Sequence, residues 1–154
     1  MFQRILIPVD GSAASMQAVD MVPHLTSPQG RLNVTIAVVI SPLSAEESDY
    51  RTEYLEPHNA WLRNEAQRFA DRAIEPLRSR GVICTTKILE GKPVSAVLAK
   101  EAASGQYDLL LMSSRGMGQQ QDRLRYLGSV TEHVLRRASI PVLIVPSEDE
   151  DDDD

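Results

Sequence analysis

Leu109-Leu110-Leu111-Met112 is apolar at four positions in a row, and the run stops abruptly at Ser113-Ser114-Arg115-Gly116-Met117-Gly118. A strand with one wet face alternates apolar and polar residues, so continuous apolarity marks a strand covered on both faces. The same signal recurs in Gln3 to Asp10; Leu32 to Ile40 reads as a β-branched strand, and Val82 to Leu89 and Ile140 to Val145 read as further strands. Strands of this kind belong to parallel sheets, whose connections must cross over and are usually helical.

Helical periodicity lies between the runs. Ser12 is placed to cap a helix carrying Met16, Val19, Val22 and Leu25 on one stripe. From Pro57 to Arg80 the stripe is Leu62, Ala66, Phe69, Ala70, Ala73 and Leu77, with Gly81 as the stop and Trp61 read as a packing residue at its start. Pro42 to Glu56 has no clear period and reads as an irregular excursion. Glu90-Gly91-Lys92-Pro93 turns into a helix with Val94, Val97, Leu98 and Ala102 buried, and Gly105 ends it. Ser129 to Arg137 is the last helix. Strands alternating with helices give right-handed βαβ units in an α/β domain with helices on both faces. Ligands of such sheets bind outside the carboxyl ends of the strands.

Charge narrows the function classes. The net charge of −6 arises from Glu148 to Asp154, seven acidic residues in a row. Without them the body carries 16 basic against 15 acidic residues. The division expected is a folded domain over 1–147 and an acidic, disordered, solvated tail over 148–154. No clustered basic face suggests nucleic acid, and no apolar run approaches the roughly 20 residues of a membrane span. The N-terminal run is too short and proline-interrupted for a signal peptide. Cys84, the single cysteine, reads as a small buried hydrophobe in a reducing, cytoplasmic setting.

The stretch after Met112 has the chemistry of an anion site. A buried strand empties into a glycine-bearing loop, and Gly128-Ser129-Val130-Thr131 then opens a helix whose first amides lack internal acceptors. It is neither a Walker loop nor a dinucleotide fingerprint: Gly91-Lys92 is followed by proline, and Gln121 stands where a third glycine would. His24, His58 and His133 are scattered over three helices, so no metal cluster or catalytic triad is indicated. Two plainer readings accompany the site. Asp10 in Asp10-Gly11-Ser12 suits a turn, and Ser129 with Glu132 suits a capping box that would fill the amides a phosphate wants.

The opening ILIPVDGS, the EGKP turn, MSSRG and LGSVTEHVLRRASIPVLIVP together resemble the universal stress protein family over residues 2 to 146. The resemblance implies a single-domain, three-layer Rossmann-like α/β fold with a five-stranded parallel sheet in the order 3-2-1-4-5. It also implies a homodimer through the last strand, Val142 to Val145, and a regulatory or stress-response module that is not an enzyme beyond weak ATP hydrolysis. One branch of the family binds ATP or AMP, with Mg2+ carried on the phosphates, and signals to a regulated protein partner. Another branch lacks the nucleotide and acts as a dimeric interaction protein; a slow ATPase is the remaining alternative.

The nucleotide-binding branch carries Gly-x2-Gly-x9-Gly followed by Ser or Thr. Here Ser113 takes the first glycine's place, Gly116 the second and Gly128 the third, with 11 residues rather than nine between the last two. Using Gly118 keeps nine but puts Arg115 at the first position; the former alignment stays in step with the fourth strand. A positive φ at Ser113 would cost about 1 kcal/mol. By resemblance Asp10 takes ribose hydroxyls, Pro8 and Val9 line the adenine pocket, and the Val39 backbone reads the adenine edge. Met112, Ser113, Arg115, Gly116, Gly128, Ser129, Val130 and Thr131 complete the nucleotide-binding set, with Arg123 and Arg125 as further sources of charge. The expected mechanism is a population shift in which phosphates order the loop from Ser113 to Gly128.

Overall fold

A computed structural model describes residues 2–25, 30–47, 51–114 and 128–147. Five parallel strands form one sheet in the order β3-β2-β1-β4-β5: β1 Arg4–Pro8, β2 Asn33–Ile40, β3 Ile83–Glu90, β4 Leu109–Ser113 and β5 Val142–Val145. The register runs Ile5 to Val34, Val34 to Cys84, Ile5 to Leu109 and Leu110 to Val142. The order 3-2-1-4-5 implied by the resemblance is therefore the one observed. The chain leaves β1 toward β2 and later returns to β4 on its other side, so a crevice opens between the carboxyl ends of β1 and β4.

Successive side chains of a strand point to opposite faces, and the core divides accordingly. Ile5, Ile7, Val34 and Ile36 pack under Val19, Ala66, Ala70, Ala73 and Leu77 from α1 (Ala13–Asp20) and α3 (Thr52–Arg78). Leu6, Ala37, Leu110 and Met112 pack on the other face under Leu98, Ala102 and Val134 from α4 (Val94–Ala102) and α5 (Ser129–Arg137). A short α2, Val22–Leu25, follows α1 after a turn at Met21. The first helical stripe is thus two helices rather than one.

The third helix departs further from expectation. It starts at Thr52, inside the stretch read as irregular, and carries Pro57 in its interior. Proline at this sixth position removes the i→i−4 bond to the Glu53 carbonyl and crowds that carbonyl, and tertiary contacts supply the compensation. Leu55 and Asn59 are buried, and the Asn59 amide accepts from Leu43 N and donates to Leu43 O, both at 2.9 Å. Those bonds hold Leu43 against the helix. Trp61, expected to pack, is 57% exposed and tilts against the His58 ring at 6.2 Å.

Cys84 is half-buried in β3, donates weakly to Val82 O, and burial pushes its thiol pKa up, which suits an inert side chain. No helix among the described residues is long and apolar enough to cross a membrane. The acidic run 148–154 lies outside the described residues.

On the α4 face, Lys87 Nζ and the Tyr107 hydroxyl both donate to Glu101 Oε1, at 2.6 and 2.7 Å. Burial pushes the Glu101 carboxyl up, but these hydrogen bonds outweigh it and hold the pKa below the ordinary range. A depressed folded-state pKa contributes stability above the unfolded value and loses it as pH falls through the folded one. Acidification from neutral pH into the carboxylate range should therefore cost the native chain more stability than Glu101→Gln. Urea melts at a series of pH values measure this, and equal slopes would contradict it.

Candidate functional site

A cleft of about 220 Å3 opens at the carboxyl ends of the central strands, at the crevice the strand order creates. Its walls hold the whole described part of the sequence-derived set: Pro8, Val9 and Asp10 after β1, Val39 of β2, Met112 and Ser113 ending β4, and Gly128 to Thr131 starting α5. The structure adds Ser15, Val94 and Leu98. Arg115 and Gly116, with Gly118, Arg123 and Arg125, lie outside the described residues.

Strand ends bring these groups together. The last β1 contact with β2 is Val9 N–H donating to Ala37 O at 2.8 Å, so Val39, two residues on, presents its main chain beyond the end of β1. Asp10 Oδ1 accepts the Ser12 amide at 2.9 Å, which is the expected turn role. A carboxylate has about four acceptor directions, so this contact leaves it competent toward hydroxyl donors. Ser12 in turn caps α1, its hydroxyl accepting Ser15 N–H at 3.2 Å, and Gly11 holds φ +82° where an added Cβ would come within 3.0 Å of the Phe69 ring.

The second anion-facing element is built differently. Gly128 is the N-cap residue of α5 and has no side chain to cap with. Glu132, the candidate partner in a capping box, instead accepts from Arg136 Nη2 at 2.8 Å, one turn along the helix. The box expected as the plainer reading needs Ser129 at the N-cap, but Gly128 takes that position and Ser129 is already in the helix, while Glu132 pairs with Arg136. The amides of Ser129, Val130 and Thr131 have no intrahelical acceptor at this position, and all three residues line the cleft. The helix dipole adds partial positive charge there, and Arg136 and Arg137 complement its other end.

Neighbouring bonds make this terminus rigid. Thr131 is buried, and its hydroxyl donates to Ser113 O at 3.0 Å, stapling α5 to the end of β4. Gly128 N–H donates to Ser114 O at 2.7 Å. Ser113 closes β4 opposite Val145, and no non-glycine residue among those described has positive φ. The replacement of glycine by serine at 113 therefore carries no backbone strain.

Ser15, Val94 and Leu98 were missed because their part in the cleft depends on how α1 and α4 dock. Sequence spacing marked Val94 and Leu98 only as buried stripe positions, and Ser15 gave no signal.

No group of three or more His, Cys, Asp or Glu among the described residues could hold a metal ion. The walls are mainly apolar toward α4, with Val94, Leu98 and Val39, and polar toward Asp10, Ser113 and α5. That division suits a ligand with a flat apolar part at one end and an anion at the other.

A model of the Universal stress protein family matches residues 1–146. The universal stress protein YxiE of Bacillus subtilis is 28% identical over 150 residues, covering 94% of this chain and 99% of the relative. The solved structure of hypothetical protein MJ0577 aligns with a TM-score of 0.82 at 25% identity, over 97% of this chain and 99% of that one. A universal stress protein solved in complex with cAMP aligns with a TM-score of 0.67 at 25% identity, over 94% and 97% of the two chains.

Proposed function

The chain belongs to the universal stress protein family, and from that premise we propose that it binds ATP or AMP in the cleft and serves as a dimeric regulatory module. The observation that carries this reading is the α5 N-terminus, which opens on the cleft with no side-chain cap while Glu132 is engaged elsewhere. The adenine lies against Pro8, Val9 and Val39, the ribose hydroxyls donate to Asp10, and the phosphates accept from the amides of Ser129 to Thr131. Mg2+ then rides on the phosphates rather than on a protein cage. The relative in complex with cAMP shares this fold, which supports an adenine nucleotide as the ligand class.

Catalytic turnover is not part of the proposal, since no residue of the cleft among the described residues is placed as an activated base. Binding acts by linking the end of β4 to the start of α5, the two points that flank residues 115–127. A ligand that prefers one state of the protein shifts its population and so the surface offered to a partner.

For the dimer the motivating feature is β5, the last strand of the sheet order, with Leu143 exposed. An apolar strand at a sheet edge is a template for pairing with a second chain. Native mass spectrometry of the purified protein tests both parts together. The expected result is twice the 17.1 kDa chain mass, with adenine nucleotide carried through purification or taken up on addition. A monomeric mass at micromolar concentration contradicts the dimer, and no uptake of ATP or AMP contradicts the ligand.

A further inference from the structure

We infer that the nucleotide cleft continues into a second, apolar pocket beside Trp61, and that its ligand is an adenine nucleotide carrying an apolar group on the exocyclic N6 amine. This rests on the nucleotide reading above and narrows the ligand class of that same site. The observation is a cavity of about 200 Å3 at the carboxyl end of β2, walled by Val38, Ile40, Leu62, Phe69 and Trp61. Asp10 and Val39 line this cavity and the nucleotide cleft alike. The cleft lies on the sheet face of α4 and α5, with Leu98 and Met112. The second cavity lies on the face of α1 and α3, with Val38, Ile40 and Phe69. The two meet beyond the end of β1, at the residues they share.

Strand geometry decides which atoms stand at that junction. Ala37 O accepts from Val9 N–H at 2.8 Å, and Ile40 O accepts from Gly91 N–H at 3.0 Å. Main-chain groups along a strand alternate between its two edges, so residues 37 and 39 face the β1 side and residue 40 faces the β3 side. β1 ends at Pro8, opposite Ala37, and the Val39 N–H and C=O point into the space an adenine edge fills. On that edge N1 accepts and the N6 amine donates, which matches one main-chain N–H and one C=O. The amine has two hydrogens, and the Val39 carbonyl needs only one. The other position carries a substituent without loss of that bond, and the adjoining cavity gives the substituent apolar walls.

Trp61 suits this cavity to a flat group. Its side chain is exposed although it forms one of the walls, so it stands at the rim. Glu65, the charged residue that α3 contributes to the lining, pairs with Arg68 Nη1 at 3.3 Å. An aromatic group that enters here gains contact with the indole beyond what its buried area alone supplies. The sequence alone marked Trp61 as a packing residue; its place at the rim gives an exposed tryptophan a ligand to cover it.

The test titrates the full chain with AMP and with N6-benzyl-AMP, by calorimetry and by the fluorescence of Trp61, the single tryptophan of the chain. N6-benzyl-AMP is expected to bind about tenfold more tightly than AMP and to produce the larger change in Trp61 emission. Trp61→Ala, at an exposed position, should bring the ratio of the two affinities to about one, and Trp61→Phe should keep most of the gain. Circular dichroism melting confirms that both variants fold. Equal or weaker binding of N6-benzyl-AMP by the native chain overturns the second pocket and leaves the nucleotide reading standing. A gain that survives Trp61→Ala also overturns it, since the substituent then rests elsewhere. If the native chain binds neither ligand, the nucleotide reading falls and the second pocket with it.

Discussion

Replacing Gly128 with valine is expected to weaken ATP binding by about a hundredfold or more, roughly 2.7 kcal/mol, in a chain that still folds. Gly128 sits at φ −56°, ψ 150°, extended backbone that any L-residue adopts, so valine brings no φ strain. The residue is buried and forms part of the cleft wall at the N-cap of α5. A phosphate oxygen must come within about 3 Å of the following amides to accept from them. Three added carbons at the N-cap occupy that approach. The smaller Gly128→Ala should lose less affinity, which makes a graded series. Calorimetry gives the affinities and circular dichroism melting confirms the fold. Retained affinity in a folded Gly128→Val would show that the phosphates lie elsewhere.

The largest stability effect is expected at Leu110. It is fully buried in β4, between Leu6 of β1 and Val142 of β5, and packs in the cluster that includes Leu98, Tyr107 and Val134. A central strand between two neighbours has little freedom to collapse around a void. Leu110→Ala should therefore cost about 3 to 4 kcal/mol, in the upper part of the range for such truncations. That is a large share of the roughly 5–15 kcal/mol that holds a domain together. A melting temperature lower by about 6–16 °C follows for a chain of this size. Because Val134 of α5 lies in the same cluster, the change also loosens the platform of the anion site. Urea denaturation measures the loss, and a loss below about 1 kcal/mol would contradict this view of the core.

The strands were legible because both faces of each inner strand are covered. Burial on two sides forces unbroken apolar runs in β1 and β4, and those runs survive without any knowledge of what covers them. The start of α5 was legible for a similar local reason, since Gly128-Ser129 ahead of an amphipathic stripe marks a helix N-terminus. The start of α3 was not. Residues 52–56 have no helical stripe of their own, and what orders them is Asn59 holding Leu43, a contact made across a loop. Glu132 stayed open in the sequence because a capping box and an i,i+4 pair with Arg136 are both consistent with the same letters. Only the folded geometry shows which partner the carboxylate takes.

The candidate site divides along the same line. Pro8 to Asp10, Met112, Ser113 and Gly128 to Thr131 stand at strand and helix ends that local sequence marks, and they gather in one cleft. Ser15, Val94 and Leu98 join them only through the docking of α1 and α4. Asp10 carries both of its anticipated characters, since it shapes the turn through Ser12 and faces the cleft as well.

The most direct test of the account is thermal unfolding of the full chain against ATP with Mg2+. Ligand at about 100 times its dissociation constant should stabilise the fold by about 2.7 kcal/mol, a rise of roughly 5–10 °C for a chain of this size. A rise that saturates with ATP, and that Gly128→Val abolishes, is the predicted result. An unchanged melting temperature at millimolar ATP would contradict nucleotide binding in this cleft.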